Sequence, residues 1–289
     1  MSSAVNTFIS PQLASPMPKV PIDLSTGQWA AEEKLDGHRL IVSVTEGARE
    51  SLYAEGNAVT AWGRYGIVRI LPQHITDVLQ AFPVGVYDGE LLAPGKRSYG
   101  VTELVNSNDL VYTIFDVLVI GETSAMDGTY DQRRECLVEL FIQLPRTTSV
   151  VLATSTVVTS SEQMQALLKT VWDRDGEGLI LKRRSAVYRE GKRSKDWVKL
   201  KKLQTAVLTI TGFEPSKGTK QNRGLYATVV LRDEQGHTTT VKTRNNAECE
   251  AFEAGGAAQA IGRKLRIEFQ ERTPDGSYRH PRWDRWEDE

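Results

Sequence analysis

A change in hydrophobic texture near residue 203 constrains this chain more than any other feature. Before it, apolar runs with strand-like and helix-like spacing alternate; after it, short strand-like segments follow one another closely. In the first part, Leu110-Val111-Tyr112-Thr113-Ile114-Phe115-Asp116-Val117-Leu118 is continuous enough to form a strand buried on both faces. Ile75, Val78, Leu79 and Phe82 recur at helical spacing over 74–82 and lead into the strand Val84–Tyr87, which ends at Asp88-Gly89-Glu90. The spacing predicts helices over 131–143, with Cys136, Leu137, Leu140 and Phe141 on one side, and over 161–173, where Ser160 and Gln163 stand at capping-box spacing. Ser51–Ala54 and Ala58–Trp62, with Glu55-Gly56-Asn57 between them, read as a hairpin. In the second part, strands are expected over 206–213, 225–231, 238–243 and 264–269, with one helix at 247–254. The expected fold class is α+β: a domain of mixed sheets and helices over 1–202, then a small five-stranded OB-type barrel over 203–289.

No apolar run approaches the length of a membrane span and no signal peptide opens the chain, so a cytoplasmic protein is expected. Cys136 and Cys249 are far apart and the four histidines are dispersed, which indicates neither a zinc site nor a disulfide framework. Any metal must then be held by carboxylates and substrate phosphates. Net charge is only -1, but its distribution is uneven. Residues 1–181 carry 13 basic and 22 acidic side chains, residues 182–202 carry 10 and 2, and residues 203–289 carry 13 and 13. The positive charge is gathered in one segment, as an interaction surface or simply a solvated face.

The stretch Glu32-Glu33-Lys34-Leu35-Asp36-Gly37-His38-Arg39 sets a lysine, a carboxylate, a glycine and an arginine at a strand end. A lysine amine becomes a nucleophile once deprotonated, which burial or neighbouring cations favour. Lys34 is the candidate nucleophile; the competing reading is a hairpin turn at Asp36-Gly37 with Lys34 and Arg39 as solvated flanks. Attack on a phosphate needs charge neutralisation, a divalent cation and a grip on the base. Glu90 and Glu177 stand at strand ends where hard-cation ligands and ribose acceptors belong. Lys199 and Lys201 alternate along a strand and so share a face. Phe115 is either a stacking surface for a purine or a core aromatic.

Taken together, Lys34-x-Asp36-Gly37-x-Arg39, Arg64 with Gly66, Asp88-Gly89-Glu90, Phe115-Asp116, Glu177-Gly178 and Trp197-x-Lys199-x-Lys201 resemble the ordered motifs of ATP-dependent DNA ligases, within the covalent nucleotidyltransferases. The resemblance runs from about residue 11, at Pro11-Gln12-Leu13-Ala14, to residue 286. It implies that Lys34 takes up AMP, that Glu32 reads the adenine amine and that Phe115 stacks on adenine. It further implies that Arg39 and Glu90 contact ribose or phosphate and that Glu177, with Glu90, serves the metal. Lys199 and Lys201 would hold the α-phosphate, and Arg64 and Arg193 would meet the nucleotide phosphate or the 5′-phosphate of a nick. The implied cofactors are ATP and Mg2+, with Mn2+ as a substitute, and the implied partner is nicked double-stranded DNA bound by a monomer.

The segment Glu271-Arg272-Thr273-Pro274-Asp275-Gly276-Ser277-Tyr278-Arg279-His280-Pro281-Arg282-Trp283 resembles the end of the small ligases of T7-like bacteriophages. DNA phosphates would meet Lys182 and the basic segment that it opens, Lys217 in the loop 216–223, and Arg279 and Arg282. One departure is clear: many ligases finish with Arg-x-Asp-Lys, whereas this chain finishes Arg285-Trp286-Glu287-Asp288-Glu289, an acidic tail expected to be frayed and solvated. An RNA ligase or a GTP-dependent capping guanylyltransferase shares the lysine motif. An OB-fold nucleic-acid-binding protein without catalysis is the reading from another class.

Overall fold

Between Glu33 and His38 the chain leaves one sheet and enters another, so Asp36-Gly37 is not a hairpin turn. The computed structural model describes residues 7–18, 22–47, 56–104, 107–201, 204–215, 224–269, 272–273 and 275–287. The first strand of the expected hairpin (51–54) and the loop 216–223 with Lys217 lie outside them. The chain divides into two compact units, 1–200 and 201–289.

The first unit holds strands β1 (Leu13–Pro16), β2 (Trp29–Glu33), β3 (His38–Thr45), β4 (Ala58–Gly63), β5 (Val68–Arg69), β6 (Gly85–Leu92), β7 (Val111–Ile120), β8 (Thr123–Ser124), β9 (Val150–Leu152), β10 (Ser155–Val158), β11 (Gly178–Arg183) and β12 (Arg193–Lys201). Its helices are α1 (Gln73–Leu79), α2 (Ser98–Glu103), α3 (Tyr130–Gln143) and α4 (Ser161–Asp173). One sheet has the order β1-β12-β11-β2-β10, and the other β5-β4-β3-β6-β7-β8 with β9 parallel to β7.

Strand alternation sorts these residues into layers. Trp29 and Ala31, Leu179 and Leu181, and Val198 and Leu200 pack on Met164, Leu168 and Val171 of α4. Leu40, Val42, Val44, Tyr87 and Tyr112 pack on Ile75 and Leu79 of α1 and Leu137 of α3. The opposite faces meet: Ile41, Val86, Phe115 and Leu118 of the second sheet share a cluster with Trp197 and Ile180 of the first, and with Tyr188. The result is a sheet-on-sheet core with helices outside, and truncating a fully buried member such as Leu181 to Ala would cost about 2–5 kcal/mol.

Helix α3 opens with a full capping box, Thr129 with Gln132. Its buried residues are Tyr130, Arg133 and Leu137, while Cys136 is exposed rather than inward-facing. Arg133 shifts the buried face because Asp116 of β7 neutralises it. At α4, Ser160 caps Gln163 as expected, but the Gln163 side chain accepts from the Thr159 N–H instead.

The second unit holds β13 (Gln204–Pro215), β14 (Tyr226–Arg232), β15 (Thr238–Lys242), β16 (Lys264–Phe269) and β17 (Arg282–Trp286) in the order β15-β14-β13-β16-β17. The hydrogen-bonded path is open, with the end strands β15 and β17 in contact, as in a partly open OB-type barrel. Its helical stretch is longer than expected: α5 (Asn246–Ala251), capped by Asn245, continues through a π-turn at Phe252–Gly256 into α6 (Ala257–Ala260). Gly255 at φ 107° lets the chain kink there without ending the helical run. The tail is not frayed at Glu287, which makes a bidentate ion pair with Arg266 at 2.9 and 2.8 Å.

Candidate active site

The crossing from β2 to β3 places the lysine. The Lys34 N–H donates to the Gly178 carbonyl at 2.8 Å, which ties the end of β2 to the start of β11. Lys34 Nζ then donates to Glu177, and both side chains are only partly exposed. A Cβ on Gly37 would lie 2.1 Å from the Leu91 carbonyl, so only glycine lets β3 pass this close to β6. The Gly37 N–H donates to Glu90 at 3.2 Å.

Register and alternation gather the remaining groups. Glu32 pairs across from Ile180, so Glu32, Ile180 and Lys182 lie on one face of their sheet. Glu32 is buried; it accepts from the Tyr130 hydroxyl at 2.5 Å and from Lys182 Nζ at 2.8 Å. On β12, Trp197, Lys199 and Lys201 alternate with Val198 and Leu200, which turn to the helix-covered face. Phe115 meets Trp197 edge to face at 6.3 Å, with Lys182 Nζ 4.7 Å and Arg39 Cζ 4.8 Å from its ring centre. The Trp197 Nε1 is buried without a hydrogen-bond partner within this polar and aromatic cluster.

Arg39 is held by two 2.6 Å bonds to Asp88, which also accepts from the Tyr188 hydroxyl at 2.8 Å. Burial opposes the Arg39 charge, but Asp88 outweighs it and pushes the guanidinium pKa up. Behind Tyr188 lies Arg133, whose Cζ is 5.7 Å from the tyrosine ring and whose guanidinium makes 2.6 and 3.0 Å bonds to the buried Asp116. Burial pushes the Glu90 carboxyl up to about 7, an effect that Arg39 and Lys34 offset only in part.

A cavity of about 780 Å³ opens beside Lys34, lined in part by Asp36, Arg97, Tyr99, Arg174 and Glu177. Magnesium is usually bound by one or two carboxylates, with phosphates and water completing the shell. Among the described residues no cluster of three or more His, Cys, Asp or Glu side chains offers a ready cage, and Glu177 at the cavity edge fits the sparser kind of site. Glu90, engaged by Gly37 and with its carboxyl pKa raised, fits it less well.

The structure thus gathers Lys34 with Glu177, Glu32 with Phe115, and Arg39 with Glu90, which pair across β3 and β6. The register Leu40↔Gly63 brings Arg64 to the strand end that carries Arg39. Two expectations need correction. Lys182 is only 1% exposed and spends its charge on Glu32, so it belongs to the interior between the two sheets and offers nothing to a DNA phosphate. Arg193 lies at the opposite end of β12, roughly 20 Å along the strand from Lys199, and its guanidinium donates to the Ala14 carbonyl.

Part of the basic run is also consumed within the protein: Arg183 and Arg189 pair with Asp196, and Arg184 with Asp131. In the second unit Arg282 is exposed at the start of β17 and Arg279 is half-buried. Sequence reasoning missed the roles of Tyr130, Asp88 and Arg133. For Lys182 the signal was present, since its spacing from Ile180 sets both on one face.

The ATP dependent DNA ligase domain model matches residues 11–201. The DNA ligase of Thermococcus fumicolans is 26% identical over 193 residues, 60% of this chain and 34% of that protein, so the chain spans about a third of this curated relative. Among solved structures, a Lig E DNA ligase superposes with a TM-score of 0.73 at 20% identity, over 97% of this chain and 100% of the other. The ATP-dependent DNA ligase of bacteriophage T7, in complex with ATP, gives 0.50 at 20% identity over 99% and 100%. At that identity the likeness is one of fold, and it extends over both units. With the family model covering well over half of its length, the chain belongs to the ATP-dependent DNA ligase domain family.

Proposed function

We propose that this chain is a minimal ATP-dependent DNA ligase that seals 5′-phosphate, 3′-hydroxyl nicks in duplex DNA. The observation that carries the reading is Lys34 on the wall of an open cavity, paired with Glu177 and two residues along the chain from Glu32, which joins Lys182 and Phe115 in a buried cluster of a carboxylate, a cation and an aromatic ring. Glu32 accepts from the adenine amine, Lys182 donates to a ring nitrogen, and Phe115 supplies the stacking surface. Arg39 and Glu90 hold ribose or phosphate, and Lys199 and Lys201 the α-phosphate.

In the resting structure the Lys34 amine donates to Glu177, so that contact opens before attack. Lys34 then gives up a proton, its nitrogen bonds to the α-phosphorus, and pyrophosphate leaves. The 5′-phosphate of the nick next takes AMP from Lys34, breaking the nitrogen–phosphorus bond. Finally the 3′-hydroxyl attacks the 5′-phosphorus and AMP departs. Mg2+, or Mn2+ in its place, held by Glu177 with Glu90 as the weaker second ligand, would neutralise phosphate charge.

Arg64 meets the 5′-phosphate, while exposed Lys192, Arg193 and Lys195 and, in the second unit, Arg279 and Arg282 meet the DNA backbone. Binding is then sequence-independent and salt-sensitive. A monomer in the cytoplasm, in repair, replication or recombination, follows from this reading. The test is incubation with labelled ATP or GTP and Mg2+, denaturing electrophoresis, and a chase with nicked duplex. Label from ATP that disappears as the nick is sealed supports the proposal. Preferential label from GTP would make the chain a capping-type enzyme, and no label from folded protein would leave a binding module.

A further inference from the structure

Exposed apolar side chains are not scattered evenly over the first unit. Tyr65, Ile67, Val68 and Ile70 are 81%, 57%, 61% and 88% exposed, and they fall within six residues at the turn from β4 into β5. β5 is the edge of its sheet, a position where soluble proteins normally avoid bare apolar surface. Such a patch marks a binding surface more often than an accident of packing. The turn is also firmly built: the Gly63 N–H donates to the Ile67 carbonyl at 2.8 Å, Gly66 takes φ 77°, and Phe8 lies against Gly66 and 6.4 Å from Trp62.

Charge and position select the occupant. Arg64 and Arg69 are exposed within the same seven residues, no acidic residue interrupts them, and neither makes an ion pair among the described residues. This is a basic island in a region, 1–181, whose balance is 13 basic to 22 acidic. A symmetric contact between two copies would bring these arginines against each other, which disfavours self-association. The register row Asp88–Ile41–Trp62–Val68 sets Val68 on the sheet face that carries Asp88, the partner of Arg39, while Ile67 and Arg69 alternate to the other face, so the exposed residues straddle the sheet edge.

We propose that Tyr65, Ile67, Val68 and Ile70 form an apolar ridge that packs on the deoxyribose rings of one DNA strand, while Arg64 and Arg69 hold its phosphates. This rests on the ligase reading and assigns it a specific surface, on the 5′-phosphate side of the nick. Apolar contact to sugars releases no counterions, whereas each arginine–phosphate contact does. The two halves of the ridge therefore separate in a salt titration.

The experiment measures binding of the full-length chain to a nicked duplex that ends in a 3′-dideoxynucleotide, by fluorescence anisotropy across salt concentrations. The triple variant Ile67→Ser, Val68→Thr, Ile70→Ser should raise Kd about 10-fold or more with the salt slope unchanged. Arg69→Ala should lower the slope by about one contact. AMP-lysine formation by the triple variant should match the wild type, which shows that it is folded. Unchanged Kd in the triple variant overturns the proposal, as does a change in oligomeric state that accounts for the whole effect, since the ridge would then be a contact between copies. Failure of the wild type to label with ATP would instead sink the ligase reading, while the binding measurement would still stand.

Discussion

Two carboxylates, one in each unit, are treated in opposite ways. In the second unit Asp233 accepts from the His237 and Gln235 N–H groups at 2.8 and 3.0 Å, from Arg272 at 2.7 Å and from the Tyr278 hydroxyl at 3.0 Å. Burial alone would push its carboxyl up, but the bonds from Arg272, His237 and Tyr278 outweigh that and hold it well below 3.8. In the first unit Glu90 has one N–H, from Gly37, and burial leaves its carboxyl near 7. The Asp233 cluster is closed on itself and fastens the segment around Tyr278 to β14 and its turn. The surroundings of Glu90 and Trp197 are less completely paired, with the Trp197 Nε1 buried and without a partner.

The sharpest way to break this contrast is at the proposed nucleophile. Lys34→Ala should reduce AMP-protein labelling to background, whereas Asp233→Asn should leave the labelling rate within about 2-fold while lowering the thermal midpoint. Loss of labelling in the Asp233 variant would mean that the closed cluster is part of the chemistry.

Next in size is the buried pair behind the pocket. Arg133→Leu leaves Asp116 buried and unpaired, and denaturant unfolding should show the first unit destabilised by about 3–5 kcal/mol. A loss below 1 kcal/mol would show that Asp116 finds other partners.

Tyr188→Phe removes one hydrogen bond to Asp88, with a smaller effect. Stability should fall by about 1 kcal/mol, and labelling should slow about 10-fold, because Asp88, which holds Arg39, loses one of the bonds that fix it and the Gln12 N–H loses its acceptor. Unaltered labelling kinetics would reduce Tyr188 to a packing residue.

A pH series distinguishes the carboxylates directly. Glu90 binds its proton more tightly in the folded chain, so its contribution to stability falls as pH rises from 4.5 to about 7 and is flat above that. Asp233 binds its proton less tightly when folded, so its contribution is present above 3.8 and is lost as pH falls through and below that value. Thermal midpoints across pH should show Glu90→Gln removing the first slope and Asp233→Asn the second; equal slopes in both variants would erase the distinction.

Much of the site was legible because its chemistry is local in sequence. Lys34, Asp36, Gly37 and Arg39 fall within six residues, and the alternation of Lys199 and Lys201 follows from strand geometry alone. Periodicity also located α4 to the residue, because an amphipathic helix repeats its apolar face without outside help. Two of the failures share a cause: a single sequence does not reveal partners distant along the chain. Lys182 read as a surface cation because its neutraliser, Glu32, is 150 residues away. Arg133 displaced Cys136 from the buried face of α3 because Asp116 waits on another element.

By itself, then, the sequence determined the two-part organisation and the α+β class, and it singled out Lys34 as the candidate nucleophile. These depend on hydrophobic period and on residues only a few positions apart. The tertiary structure decided which charges are spent and which are left available. Of the basic run at 182–202, it turned Lys182 inward and consumed Arg183, Arg184 and Arg189 in ion pairs. At the β4–β5 turn it left Arg64 and Arg69 exposed beside bare apolar side chains. Charge can be counted along a chain, but its availability depends on burial and on Coulomb partners that only folding brings within a few ångströms.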